Sequence, residues 1–212
     1  MIFSIIAVVA AYLLGSVSFS VLFARLFKGI DIRNHGSGNA GATNTLRVLG
    51  KGPAILVLVL DIAKGVLAVW LGRWLAPDFD WTPALAGLAA VIGHNWPLYF
   101  HFKGGKGIAT TIGVLATLCF VPSLIAGVFG ILAIVLTRYV SLGSLLFVTL
   151  TPIVLIVYNL VGWHDYGISV LVIAIAIWAL AVWRHRSNLV KLKNGTENKL
   201  GSKSGGKGNN RG

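Results

Sequence analysis

Three segments of the chain bring together residue types suited to holding an anion: Asn34–Arg47 (NHGSGNAGATNTLR), Gly93–Thr110 (GHNWPLYFHFKGGKGIAT) and Arg184–Lys199 (RHRSNLVKLKNGTENK). Each mixes Gly with Asn, Ser, Thr or His and carries basic residues. In such a mix the backbone N–H groups of glycine turns face an anion, small hydroxyls and amides add hydrogen bonds, and Lys or Arg supplies charge. The chemistry this predicts is recognition of a phosphorylated ligand.

In the first segment Gly36, Gly38 and Gly41 spell G-x-G-x-x-G. A dinucleotide site needs a preceding strand and a βαβ unit, and here an apolar helical run precedes it. The segment therefore reads as an anion-binding loop with Gly36, Ser37, Gly38, Asn39, Thr43, Asn44 and Arg47 as ligand contacts. A flexible connector accounts for the glycines, but not for two Asn, a Ser, a Thr and an Arg so close together.

In the second segment Gly104, Gly105, Lys106 and Gly107 open an apolar run. A helix N-terminus there presents free N–H groups and partial positive charge, and Lys106 adds a full one. It is not a Walker loop, because Phe100 stands where a Gly is required and Gly107 where Ser or Thr is required. His94 and Asn95 fall near the end of an apolar run, where a polar pair must face protein or water. Two readings stay open for them, a helix–helix hydrogen bond and a substrate contact.

The third segment offers His185, Asn188, Glu197 and Lys199, while Arg184, Lys191 and Lys193 read as attraction to anionic lipid. Ser141 and Ser144 are three apart and share a helix face that reaches the same pocket. Asp61 and Lys64, also three apart, read first as a mutually neutralising structural pair, with scaffolding of the site as the other reading.

Ser37 is not a nucleophile by its surroundings. G-S-G lacks the G-x-S-x-G strand–turn–helix context, and adjacency to His35 does not create a base within hydrogen-bond reach. The single cysteine, Cys119, lies in an apolar run, and carboxylates are not clustered for a metal. The sequence calls for no metal and no cofactor.

The elements that must position these residues are membrane helices. The chain has 212 residues, 56% of them hydrophobic, and only 11% charged, against about 25% in a soluble domain. Mean hydropathy is +0.83. A chain this short cannot hide so much apolar surface from water. Apolar runs near the ~20 residues of a span occur at Ile2–Phe27, Pro53–Leu75, Pro83–Phe100, Val140–Val161 and Gly167–Trp183. A longer run, Gly107–Thr137, divides at Pro122 into Gly107–Val121 and Pro122–Thr137. With that division all 18 basic residues except Arg73 and Lys64 fall on one side. Asp78, Asp80 and Asp165 fall on the other. The positive-inside rule then predicts seven transmembrane helices, some short, with the N-terminus outside and the C-terminus cytoplasmic. The net charge of +12 belongs to cytoplasmic loops rather than to a nucleic-acid surface. Ile2–Phe27 starts without a charged leader region and reads as a retained span. Residues 1–199 read as one membrane domain and 200–212 as a disordered polar tail.

With these motifs in order, the sequence resembles the bacterial acyl-phosphate-dependent glycerol-3-phosphate acyltransferases, the PlsY family. The residues that carry the resemblance are GSGNAGATNTLR (36–47), DIAKG (61–65), GHNWPLYFHFKGGKGIATTIG (93–113), RYVSLGS (138–144) and RHRSNLVKLKNGTENK (184–199). The resemblance implies a seven-helix enzyme of the bacterial cell membrane with its active site on the cytoplasmic side. It implies transfer of a fatty acyl group from acyl phosphate to the 1-hydroxyl of sn-glycerol 3-phosphate, giving lysophosphatidate and phosphate, the first acylation of phospholipid synthesis. Ser37, Arg47, Lys106, His185 and Glu197 are the catalytic candidates it implies. By residue type His94, His185 and Glu197 are each able to accept the hydroxyl proton; the family's chemistry implies direct attack assisted by a substrate phosphate. The H-x-x-x-x-D pattern of acyl-CoA-dependent acyltransferases is absent at all 5 histidines. A small transporter or channel for a phosphorylated metabolite is the other reading, but it predicts polar residues at the midplane and on both sides. A non-catalytic lipid-binding scaffold is a third.

Overall fold

The computed structural model describes residues 1–201. The expected polar tail lies, from residue 202 onward, outside the described residues. The described residues fold as helices joined by turns: α1 (Ile2–Gly15), α2 (Phe19–Lys28), α3 (Ala42–Leu49), α4 (Lys51–Leu75), α5 (Trp81–Asn95), α6 (Ile108–Leu118), α7 (Phe120–Thr137), α8 (Val140–Val161), α9 (Gly167–Arg184) and α10 (Arg186–Lys193). Five stretches are long and apolar enough to cross a membrane: Ile2–Lys28, α4, α7, α8 and α9. Large apolar side chains on α7, among them Val128, Ile131, Val135 and Leu136, are exposed, as a lipid-facing helix requires.

The first apolar run is not one straight helix. It breaks at Ser16–Ser18, between α1 and α2. At the break Gly15 lies against α5 so closely that a Cβ there would collide with the backbone of Ala90. Without a hydrophobic drive between helices in lipid, such small-residue contacts let backbones approach and gain dispersion energy. The carbonyl of Val17, freed by the break, is satisfied by the Lys64 ammonium at 2.8 Å.

The long run 107–137 does divide, but at Cys119 rather than at Pro122. Proline lacks an N–H, yet the first turn of a helix has no internal acceptor for one. Pro122 therefore sits comfortably in the opening turn of α7 and does not start the break. α6 is left with 11 residues, about 16 Å at the ~1.5 Å rise of a helix. Its Thr110, Thr111, Gly113, Val114 and Leu115 are buried, and α4, α5, α7 and α9 pack around it. Val114 and Leu115 join the main core with Val69, Phe147, Leu155 and Ile177.

Candidate functional site

The three polar segments meet at one end of the bundle, joined by named bonds. Just before the first, Asp31 accepts from the Arg33 amide at 3.0 Å and pairs with its guanidinium at 2.6 Å. The hydrogen bond from Arg33 holds the Asp31 carboxyl down at about 2, so the pair is charged throughout the physiological range. The same guanidinium donates to the Phe100 carbonyl at 2.8 Å, tying the first segment to the second.

The end of the first segment is helical rather than loop: Thr43, Asn44 and Arg47 belong to α3, bracketed by Gly41 and Gly50. Asn44 is fully buried. Its Oδ1 accepts from the Ser37 amide at 2.8 Å, and its Nδ2 donates to the carbonyls of His35 (2.9 Å) and Ile32 (3.2 Å). Its side chain thus folds the glycine turn back onto α3. Gly36, Ser37 and Gly38 are exposed, while Asn39, Thr43 and Arg47 are half-buried.

In the second segment Gly105 is buried between loops. A Cβ there would collide with the His94 Nε2 and the Ala40 carbonyl. Its amide donates to the His94 carbonyl at 3.2 Å. His94 and Asn95 are both buried. The His94 Nδ1 lies 3.0 Å from the Lys64 ammonium, the interhelical bond that was one of its two readings. Lys64 also pairs with Asp61 at 2.8 Å. Its ammonium thus hydrogen-bonds His94 and Val17 and ion-pairs with Asp61, and the pair ties α4 to α5 and to the break in the first helix. Asn95 has no hydrogen-bond partner for Oδ1 or Nδ2 among the described residues; its Oδ1 lies against Gly107.

The third segment brings the candidates together. Lys106 donates from Nζ to Asn188 Oδ1. Asn188 Nδ2 donates to Glu197 Oε1 at 2.8 Å, and Ser141 Oγ donates to the same oxygen at 3.1 Å. Lys106, Asn188, Glu197 and Ser141 form one chain from three separate stretches of sequence. Glu197 Oε2 is buried without a partner among the described residues. Burial lowers the Lys106 ammonium to about 8, with Glu197 opposing and Lys191, Arg184 and Arg47 adding to the shift. Arg47 is therefore near enough for its charge to be felt. His185 is buried, and its Nδ1 lies 2.8 Å from the Ala181 carbonyl. That bond assigns the proton to Nδ1 and leaves Nε2 as an acceptor. Burial and the Lys106 charge push His185 down to about 4, so it is neutral at pH 7.

Ser144 is turned away from this chain, its Oγ bonded to the Val140 carbonyl at 2.9 Å. The Lys199 ammonium lies 5.6 Å over the Tyr139 ring. Leu200 is docked, its amide donating to the Arg138 carbonyl at 2.7 Å. Arg184, assigned by sequence to lipid, donates instead to the Gly105 carbonyl from Nε at 3.1 Å. Arg33 and Arg184 were missed as organisers of the site. The signal available was weak: Arg184 opens the third polar segment and Arg33 immediately precedes the first, but nothing in a one-dimensional pattern says which carbonyl an arginine will find.

The glycerol-3-phosphate acyltransferase family model matches residues 5–195. This chain is a member of the glycerol-3-phosphate acyltransferase family. It is 59% identical over 197 residues to the glycerol-3-phosphate acyltransferase of Halalkalibacterium halodurans, covering 92% of this chain and 95% of that one. It is 58% identical over 205 residues to that of Shouchella clausii, covering 96% and 99%. The fold is similar to the crystal structure of PlsY, an integral membrane glycerol 3-phosphate acyltransferase, in its glycerol 3-phosphate form, with TM-score 0.86, 39% identity and coverage of 93% and 96%. The lysophosphatidic acid form of PlsY matches with TM-score 0.83 and 38% identity. As an acyltransferase of this family, the chain is a multi-pass integral membrane enzyme.

Proposed function

We propose that the chain transfers a fatty acyl group from acyl phosphate to the 1-hydroxyl of sn-glycerol 3-phosphate. The observation that carries this reading is the Lys106–Asn188–Glu197–Ser141 chain beside two glycine-rich segments, at the end of the bundle where the basic residues gather. Two substrates that each bear a phosphate need two anion sites. Lys106 with the amides after Gly105 serves one, and the Ser37 turn with Arg47 serves the other. Asn44 shapes that turn rather than touching ligand. Gly36, Gly38, Asn39, Thr43, Gly104 and Gly107 line the two sites.

The hydroxyl oxygen attacks the acyl carbon, the new ester C–O bond forms, and the bond from that carbon to the phosphate oxygen breaks. The hydroxyl proton leaves on the departing phosphate, so atoms and charge balance without an acyl-enzyme. Catalysis then consists of holding both phosphates and the hydroxyl in register and stabilising charge. Neutral His185 supplies an acceptor at Nε2 that orients the hydroxyl, and Glu197 fixes Asn188 and Ser141. Topology follows the same reading: residues 1–199 form one membrane domain of the bacterial cell membrane with seven spans. Short α5 and α6 are among them, the N-terminus is outside, and the site faces the cytoplasm. The test is direct. Purified protein given acyl phosphate and glycerol 3-phosphate, with no added cofactor, forms lysophosphatidate and releases one phosphate per ester. Acyl transfer from acyl-CoA alone, with none from acyl phosphate, overturns the donor assignment.

A further inference from the structure

Arg184 is the last residue of α9, where the positive-inside rule is satisfied by any cation. The structure uses it for something only a guanidinium can do. Its Nε and Nη2 both reach the Gly105 carbonyl, and Nη2 also reaches the Gly104 carbonyl at 3.4 Å. The plane of the guanidinium is held in place by aromatic rings, Trp96 at 5.3 Å and Trp183 at 5.9 Å. Those two rings pack on each other with centroids 5.6 Å apart.

A trans peptide points its C=O and N–H in opposite directions. Fixing the Gly105 carbonyl on the Arg184 side therefore turns the Lys106 amide to the other side. The preceding peptide is fixed as well, with the Gly104 carbonyl toward Arg184 and the Gly105 amide on the His94 carbonyl at 3.2 Å. On its far side Gly105 has no room for a Cβ, because the His94 ring and the Ala40 carbonyl fill the space. The stretch Gly104–Lys106 is thus clamped from two sides. Beyond the clamp, the amides of Lys106 and Gly107 have no hydrogen-bond acceptor among the described residues. They stand at the opening of α6, where helix amides have no acceptor within the helix and are free for a ligand. Asn188, on α10 just past the end of α9, holds the Lys106 side chain, so the junction of α9 and α10 anchors both the backbone before Lys106 and its ammonium.

We propose that Arg184 is a positioning residue of the phosphate loop, whose two-pronged hold on the Gly104 and Gly105 carbonyls presents the Lys106 and Gly107 amides to the substrate phosphate. The proposal rests on Gly104–Gly107 being a phosphate loop. It separates cleanly from a role in topology, lipid attraction or long-range charge, because lysine supplies all three. Lysine has no planar fork and cannot hold two carbonyls in fixed directions.

The experiment compares full-length Arg184→Lys, Arg184→Met and Lys106→Ala with the unmodified enzyme in one detergent. It measures KM for each substrate, the inhibition constant of inorganic phosphate and the thermal midpoint. The expected result is that Arg184→Lys weakens phosphate inhibition and raises KM for one phosphate-bearing substrate by about tenfold, the scale of one charge-assisted hydrogen bond, with an unchanged midpoint. Arg184→Met matches it. Normal constants in Arg184→Lys overturn the proposal, whatever Arg184→Met does, since charge alone then suffices. Should Arg184→Met not fold, Arg184→Lys decides. Unaltered constants in Lys106→Ala remove the phosphate loop itself, whereas an impaired Lys106→Ala beside a normal Arg184→Lys removes only the role of Arg184.

Discussion

Lys106 carries the sharpest chemistry at the scale of a single residue. Burial leaves its ammonium titrating at about 8, against the usual 10.4 or so of a free lysine. The charged form is the one that holds phosphate, and it is complete below that value. Between about pH 7 and 9, kcat/KM therefore falls as pH rises, following the free enzyme's ammonium. In Lys106→Arg, whose charge persists at every accessible pH, the alkaline fall disappears from whatever activity remains. Persistence of the same fall assigns it to another group. At Ser37 the expectation concerns order of binding. Its side chain is exposed in a turn held by Asn44, and no histidine or carboxylate oxygen is bonded to its hydroxyl among the described residues. Both substrates therefore occupy the site together, and initial-rate plots intersect when both are varied. Parallel lines, or an acyl group trapped on Ser37, contradict direct attack.

At the scale of elements, the buried Asp61–Lys64 pair does more than neutralise itself. Each side chain is 2% exposed, and the ammonium bridges α4 to His94 on α5 and to the Val17 carbonyl at the break between α1 and α2. α2 and α4 flank the first glycine-rich segment and α5 runs into the second, so the pair braces the helices that carry both segments. Removing one member of such a pair leaves an uncompensated charge, at a cost of about 3–5 kcal/mol. Lys64→Met therefore lowers the thermal midpoint strongly, and the double change Asp61→Asn/Lys64→Met recovers much of the loss. The thermal midpoints of the two variants check this. Equal midpoints show that the carboxylate was not stranded in the single variant. The break itself was not visible as a break in Ile2–Phe27. Ser16 and Ser18 do not stop a helix in lipid, and only the close approach of Gly15 to α5 and the waiting Lys64 make a bend there favourable.

At the scale of the whole molecule, the three polar segments and their basic residues share one end, and the proposed topology, following the positive-inside rule, turns that end toward the cytoplasm. In right-side-out cells, cysteines placed at positions 106 and 138 resist a membrane-impermeant thiol reagent, and one placed at 165 is modified. Labelling at 138 without labelling at 165 inverts the topology. The buried Cys119 contributes little background to that assay. α6 is where this topology is most demanding, because 11 residues are fewer than the ~20 of a full span. Its burial among α4, α5, α7 and α9 keeps its ends from lipid.

Composition and charge determined the membrane class and the common face of the polar segments, because hydropathy and the positive-inside rule act on the chain locally and need no partner. Ser37, Arg47, Lys106 and Asn188 stood out as candidates in the sequence because a phosphate site needs amides, hydroxyls and cations, and Glu197 because the motif around it resembles the family's. The tertiary structure decided which of them meet. Lys106, Asn188, Glu197 and Ser141 are brought into one hydrogen-bonded chain by the packing of separate helices, and Ser144, on the same helix face by spacing, bonds its own backbone instead. It decided that Asn44 holds its own loop and that Arg184 holds the backbone of another. A side chain's type states which hydrogen bonds it is able to make, but the choice among acceptors depends on which backbone carbonyls and amides the fold leaves unsatisfied beside it.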